Sequence, residues 1–118
     1  MTSSQVGSCL GFAMLLAAGQ ILFKSAALSL PTIRTFSDLT STLQIPVLWL
    51  AFLLYGAATL LWIYLLQTVP LSRAYPFAAL GFVLVPAAGV LLFNEKVGLS
   101  YVGGAALIVL GLLITARA

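Results

Sequence analysis

The hydrophobic residues of this 118-residue chain form four long runs, separated by three polar connections of which two are very short. Each run is close to the roughly 20 residues that a helix needs to cross the hydrocarbon core of a bilayer. The lipid interior offers the backbone no hydrogen-bond partner, so such runs must be helical. The pattern therefore predicts an all-α membrane protein, a single domain over residues 1–118. Its antiparallel four-transmembrane-helix bundle has spans at about residues 9–30, 47–66, 73–93 and 99–116.

The first run carries polar residues along one helical face. Ala13, Ala17, Gln20 and Lys24 follow i, i+4, i+7, i+11 spacing, so they share that face. We expect it to lie against other helices or a watery cavity, because lipid tolerates an amide and an ammonium poorly. Lys24 lies six residues before Leu30, roughly 9 Å along the helix. Snorkelling to the membrane surface and a functional role as a cation both remain open for it.

The tightest turn of the chain joins the second and third runs, at residues 65–77. Ser72 is expected to cap the third helix, with Pro76 in its first turn. Arg73 would then lie beside a positive helix N-terminus, a combination that suits an anion such as phosphate. The alternative is a hairpin at the membrane edge, with Arg73 snorkelling to lipid headgroups.

Two patterns in the last two runs predict bending and packing. Pro86 is expected to kink the third helix, either as a packing detail or as a hinge. Gly104 and Gly111 lie seven residues apart in the fourth run, with Ile108 and Thr115 on the same face. Glycines at this spacing let another helix approach closely, so this face is the predicted subunit contact.

The longest connection spans residues 31–46 and is mixed in character. Its apolar residues recur at near-helical spacing among serines and threonines. The pattern predicts an interfacial amphipathic turn or two. Arg34 and Asp38, four residues apart, are expected to form a solvated ion pair of small energetic weight.

Composition places the whole chain in a membrane. It is 63% hydrophobic and 6% charged, with a mean hydropathy of +1.21, whereas a soluble domain carries roughly a quarter charged residues. The formal charge of +3 fits residues that anchor helix ends rather than a nucleic-acid surface. With no histidine and Cys9 as the single cysteine, we expect no metal, no cofactor and no catalytic triad. We expect the first run to be a retained membrane span rather than a removed signal peptide. The positive charges are divided almost evenly between the two ends of the bundle, so they leave the orientation in the membrane open.

Four segments in order resemble a known family. Residues 66–76 are similar to the LQ-x-VP-x-x-x-AYP turn of EamA-like, four-helix members of the drug/metabolite transporter superfamily. In particular, the chain is similar to the subunits of the aminoarabinose-phosphoundecaprenol flippase. Residues 94–97 resemble their x-E-x-V loop, residues 19–24 their GQ-x-x-x-K segment, and residues 104–111 the glycine spacing of their last helix.

This resemblance implies a flippase subunit that moves a polyprenyl-phosphate-linked sugar across the bacterial inner membrane. It also implies a homodimer, or a heterodimer with a similar four-helix subunit. An anionic headgroup suits cations and amides better than carboxylates. The candidate substrate-binding residues are accordingly Gln20, Lys24, Gln67, Arg73 and Tyr75.

Two other functions stay open. The small multidrug resistance family shares the four-helix plan, but its proton-coupled export of cations depends on a glutamate in the first helix. Leu16 stands at that position here, and Ala78 stands where that family has an aromatic residue. Without an embedded carboxylate there is no group to exchange a proton for a cationic drug. The third possibility is a non-transporting accessory subunit of a membrane glycosyltransferase complex.

Overall fold

The computed structural model describes residues 2–30 and 32–117, which are helical apart from short connections. Within these residues, four helical stretches are long and apolar enough to cross a membrane: Ser3–Leu28, Pro46–Leu66, Leu71–Phe93 and Leu99–Arg117. The predicted all-α, four-helix membrane architecture is therefore confirmed. The helices in order are α1 (Ser3–Leu28), α2 (Phe36–Thr42), α3 (Pro46–Leu66), α4 (Leu71–Ala78), α5 (Gly81–Phe93) and α6 (Leu99–Arg117).

The core lies mainly between α1 and α3. Cys9 and Phe12 of α1 are buried together with Ala58 and Leu65 of α3. The ring of Phe12 stacks on Trp62, with 4.6 Å between the ring centroids. Ala58 is fully buried, and its small side chain lets α1 approach α3 closely.

The start of α1 is fixed by a capping box. The Thr2 hydroxyl accepts a hydrogen bond from the Gln5 backbone N–H at 3.2 Å, and the Gln5 side-chain oxygen accepts one from the Thr2 N–H at 3.0 Å. These bonds satisfy N–H groups that a helix start leaves unpaired, so α1 begins several residues before the hydrophobic run. The Gln5 amide also donates to the Thr68 hydroxyl at 3.2 Å, which ties this end of α1 to the α3–α4 turn.

The start of α4 differs from the prediction. Pro70, not Ser72, is the N-cap residue, and no side chain caps the helix. The extended backbone of Pro70 points its carbonyl at the N–H groups of Arg73 and Ala74, each at 3.0 Å, so the helix begins before Ser72 is reached. Pro76 consequently lies inside α4 rather than in its first turn.

The third hydrophobic run is interrupted at residues 79–80, between α4 and α5. The N–H of Leu80 bonds to the Phe77 carbonyl at 3.2 Å, and that of Phe82 to the Ala79 carbonyl at 2.9 Å. Both are bonds to the third preceding residue, the tighter pattern found where α-helices end or join. Pro86 lies further on, inside α5, and its role as a hinge stays a prediction.

The connection after α1 contains a short helix, α2, as predicted. The prediction of an ion pair between Arg34 and Asp38 is wrong. The Asp38 carboxylate accepts hydrogen bonds from the backbone N–H groups of Arg34 and Thr35, at 2.8 and 3.0 Å. These bonds hold the pKa of Asp38 below its ordinary value. A carboxylate at a helix start gains this capping without ordering a long arginine side chain, which an exposed ion pair would require.

Helix α6 lies at the edge of the bundle. None of its residues, 99–117, is buried, and it packs on α4 and α5. A Cβ atom added at Gly104 or Gly111 would meet nothing within 4 Å. This helix therefore presents an uncovered small-residue face within a single chain.

Candidate functional site

A cavity of about 490 Å³ lies between α1, α5 and the beginning of α6, and we call it the polar cavity. Its volume is in the range of roughly 300–1,000 Å³ that is usual for small-molecule sites. Most of its wall is apolar, with a few polar side chains placed close together, the composition expected of a binding pocket. The residues discussed below that line it are Gln20, Phe23, Lys24, Pro86, Gly89, Phe93, Glu95, Val97 and Tyr101.

Two opposite charges meet at the wall of the polar cavity. Lys24 Nζ lies 3.6 Å from Glu95 Oε1, and we call these two residues the charged pair. Both side chains are about half exposed, at 45% and 46%. Lys24 lies one turn before the end of α1, whereas Glu95 follows α5. The cavity therefore offers a ligand both an anion-binding and a cation-binding group.

The turn after α5 explains how Glu95 reaches Lys24. Asn94 ends the helix in the left-handed conformation, with φ of 54°, which asparagine tolerates better than most residues. The Glu95 N–H then donates to the Gly89 carbonyl at 3.2 Å. The chain thus folds back over the last turn of α5, and a Cβ at Gly89 would lie only 3.1 Å from the carboxyl carbon of Glu95. A glycine at position 89 leaves room for this carboxylate.

Gln20 is held one turn before Lys24 by a contact with α3. Its side-chain amide donates a hydrogen bond to the Tyr55 hydroxyl. The Tyr55 ring lies where a Cβ of Gly19 would be, so the glycine allows the ring to lie directly on α1. Phe23 packs on the same ring, with 5.1 Å between centroids. The amide therefore has a fixed position beside the charged pair.

A second cavity, of about 480 Å³, adjoins the first, and we call it the apolar cavity. Gln20, Val85 and Pro86 line both cavities. The remaining wall of the apolar cavity is almost entirely hydrophobic and includes Leu16 and Phe82. Together the two cavities form a groove that is charged near the end of α1 and apolar towards the middle of the bundle.

The structure separates the five predicted binding residues into two groups. Gln20 and Lys24 line the polar cavity. Gln67, Arg73 and Tyr75 are exposed around the α3–α4 turn, the end that Gln5 ties to the start of α1. Since Gln5 and Lys24 are 19 residues apart on one helix, the two groups lie about 28 Å apart along it. The structure therefore does not bring the five predicted residues together in one place.

Sequence reasoning did not predict Glu95, Tyr101 or Tyr55 as part of the polar cavity or its immediate support, and it assigned Pro86 only to bending. Glu95 and Tyr101 line the cavity, Pro86 lines it in addition to its predicted role in bending, and Tyr55 orients Gln20. The available signal for Glu95 was a carboxylate placed directly after an asparagine at the end of an apolar run. That pattern is compatible with a left-handed helix end that turns the carboxylate back.

Known proteins match this chain over nearly its whole length. Residues 3–117 match the EamA-like transporter family. The chain is 39% identical over 112 residues to a probable 4-amino-4-deoxy-L-arabinose-phosphoundecaprenol flippase subunit ArnF of Erwinia tasmaniensis, covering 89% of this chain and 88% of the relative. It is 40% identical over 103 residues to the probable subunit ArnE of the same flippase from Serratia proteamaculans, covering 86% and 85%. No solved structure matches the chain.

Proposed function

This chain belongs to the EamA-like transporter family, and we propose that it is a flippase subunit for a polyprenyl-phosphate-linked sugar of the aminoarabinose type. It is a multi-pass protein of the bacterial inner membrane, and it is a transporter rather than an enzyme. The observation that carries the proposal is the groove, which is charged at one end and apolar further in. Its two parts match the headgroup and the hydrocarbon chain of such a lipid.

The polar cavity suits the headgroup. Lys24 can donate a charge-assisted hydrogen bond to the phosphate, which partly offsets the cost of removing the phosphate from water. Gln20 lies one turn away and can bind a sugar hydroxyl. The prenyl chain can lie along the apolar cavity or remain in lipid, so the protein needs to shelter only the polar part of its substrate.

Arg73 provides a second position for the same phosphate, at the other end of the bundle. It is exposed in the first turn of α4, where the helix dipole adds to its positive charge. Gln67 and Tyr75 are exposed around the same turn. In this mechanism Lys24 and Arg73 bind the phosphate in turn as access alternates between the two membrane faces.

The transporter works as a dimer, either of two identical chains or of this chain with a similar four-helix subunit. The uncovered face of α6 supports a subunit contact, and Ile108 on that face is partly exposed. The Thr115 hydroxyl on the same face already donates to the Gly111 carbonyl at 2.8 Å, so it needs no partner to satisfy it. Relatives named as two different subunits, ArnE and ArnF, support a paired assembly.

Gly111→Leu is expected to weaken this dimer. A leucine would hold the facing helix away from the small-residue face, and without polar bonds across it the contact depends on close packing. Cross-linking in lipid and light scattering in detergent should show a shift to monomer. Gly103→Leu, on the same helix but off this face, should leave the assembly unchanged. Unaltered oligomer size for both Gly111→Leu and Gly104→Leu would place the contact elsewhere.

The proposed activity can be tested in living cells that make the sugar lipid. A membrane-impermeant reagent specific for amines should label the amino sugar only after it reaches the outer leaflet of the inner membrane. Deletion of the gene should lower the labelled fraction several-fold, while the total amount of sugar lipid stays the same. The wild-type gene should restore labelling. An equal labelled fraction with and without the gene would contradict the proposed activity.

A further inference from the structure

We propose that Glu95 determines substrate specificity by binding the positively charged amine of the sugar while Lys24 binds the phosphate. The charged pair then recognises a zwitterionic headgroup, in which an ammonium and a phosphate lie on the same small molecule. This inference rests on the proposed function, because it assigns the headgroup chemistry that the polar cavity accepts. It gives Glu95 a role that the sequence analysis did not assign to it.

The positions of the two charges support this assignment. Lys24 and Glu95 are the charged residues among those that line the polar cavity, and they come from separate parts of the chain, α1 and the turn after α5. Their 3.6 Å separation is that of a loose ion pair rather than of a short charge-assisted hydrogen bond. The remaining wall offers few polar groups, so these two charges dominate the recognition of any ligand placed there.

Within the chain, the two charges of the charged pair neutralise each other. An unpaired ammonium or carboxylate at the edge of an apolar region is costly. Because both side chains are about half exposed, their mutual attraction is weak, and a ligand can separate them at small cost. The Glu95 side chain can also move without disturbing α5, since it packs over Gly89, which has no side chain of its own.

The charge of the incoming headgroup determines whether it is favourable to separate Lys24 from Glu95. A zwitterionic headgroup replaces one internal ion pair by two, phosphate with Lys24 and ammonium with Glu95. A headgroup with phosphate but no amine occupies Lys24 and leaves the Glu95 carboxylate unpaired beside a second negative charge. That like-charge contact disfavours binding, so the site should select the amino sugar over the same lipid without a charged amine.

The size and surface of the polar cavity fit one sugar ring with its phosphate. Its volume is about 490 Å³. Phe23, Phe93 and Tyr101 contribute rings to the wall, which give flat apolar surfaces for the carbon–hydrogen faces of a sugar. The ring can thus lie between the two charges with its apolar faces covered, and its polar ends directed to Lys24 and Glu95.

The test is a binding measurement on the full chain in lipid nanodiscs, together with any subunit that purifies with it. The two probes are a short-chain polyprenyl phosphate bearing 4-amino-4-deoxyarabinose and its N-formyl derivative, which lacks the positive charge. Wild-type protein should bind the amine form more tightly by roughly tenfold or more. Glu95→Gln should reduce the ratio to near one, mainly by weakening binding of the amine form. Asp38→Asn, which changes the other carboxylate of the chain, should keep the wild-type ratio.

Either of two results would overturn the assignment of Glu95. One is a wild-type protein that binds both probes equally, and the other is a Glu95→Gln protein that keeps the full preference. The ratio is measured without translocation, so it separates this assignment from the proposed function. A wild-type protein that prefers the amine form but moves no lipid would contradict the flippase activity and support the role of Glu95. Lipid translocation by the wild type, together with a Glu95→Gln protein that keeps the wild-type preference for the amine probe, would support the flippase activity and contradict the role of Glu95.

Discussion

Replacement of Lys24 by glutamine should slow headgroup translocation by roughly tenfold or more. The variant loses the charge-assisted hydrogen bond to the phosphate, an interaction of about 1.5–3 kcal/mol. It also leaves Glu95 without its counter-charge, 3.6 Å from the lost ammonium, where the carboxylate repels the substrate phosphate. Folding should survive, because Lys24 is half exposed and contributes nothing to the core between α1 and α3.

The rate is best measured as initial translocation of the headgroup in proteoliposomes, normalised to folded protein. Lys96→Gln is the matched control, since it removes a neighbouring lysine that is exposed and does not line the polar cavity. Its rate should equal that of the wild type. A wild-type rate for Lys24→Gln would mean that Lys24 only snorkels to the membrane surface.

The second large effect is expected at the opposite end of the bundle, for Arg73→Gln. If the phosphate must bind at both ends in turn, removal of either cation should slow the whole cycle, so we again expect a decrease of roughly tenfold. Arg73→Lys should be milder, because it keeps the charge and loses only the two-pronged geometry of the guanidinium. Alteration of either residue should leave helix content and assembly unchanged.

Arg117→Gln is the control for Arg73→Gln, because it removes an exposed arginine at the end of α6. An arginine that merely anchors a helix end would affect expression or orientation when neutralised, without affecting the rate for each folded molecule. Wild-type rates for both Lys24→Gln and Arg73→Gln would exclude the mechanism with two phosphate positions. A defect in Lys24→Gln alone would restrict phosphate binding to the polar cavity.

The architecture and part of the site could be predicted from local patterns. Four apolar runs of sufficient length determine four membrane helices, because the bilayer leaves few alternatives. The helical spacing of Ala13, Ala17, Gln20 and Lys24 placed the small residues in the packed interior and the polar ones at a cavity. The first feature depends on the length of the apolar runs and the second on helix periodicity, and both can be read directly from a sequence.

The missed features depend on chain reversals and on competition for backbone hydrogen bonds. Glu95 reaches Lys24 only because Asn94 adopts a left-handed conformation and Gly89 leaves space, and neither fact follows from helical spacing. The start of α4 was misplaced because the Pro70 carbonyl engages the helix before Ser72 can cap it. Asp38 was assigned to an ion pair because spacing identified Arg34 as a neighbour, whereas the carboxylate binds backbone N–H groups instead.

The most direct test of the central claim is translocation by the purified wild-type chain, reconstituted with any subunit that purifies with it. The substrate is a polyprenyl phosphate bearing 4-amino-4-deoxyarabinose, and a membrane-impermeant amine reagent reports the fraction exposed on the outer face of the vesicles. We predict that exposure will rise much faster than in protein-free vesicles and that Lys24→Gln will remove most of the increase. A rate equal to that of protein-free vesicles would contradict the proposed flippase function.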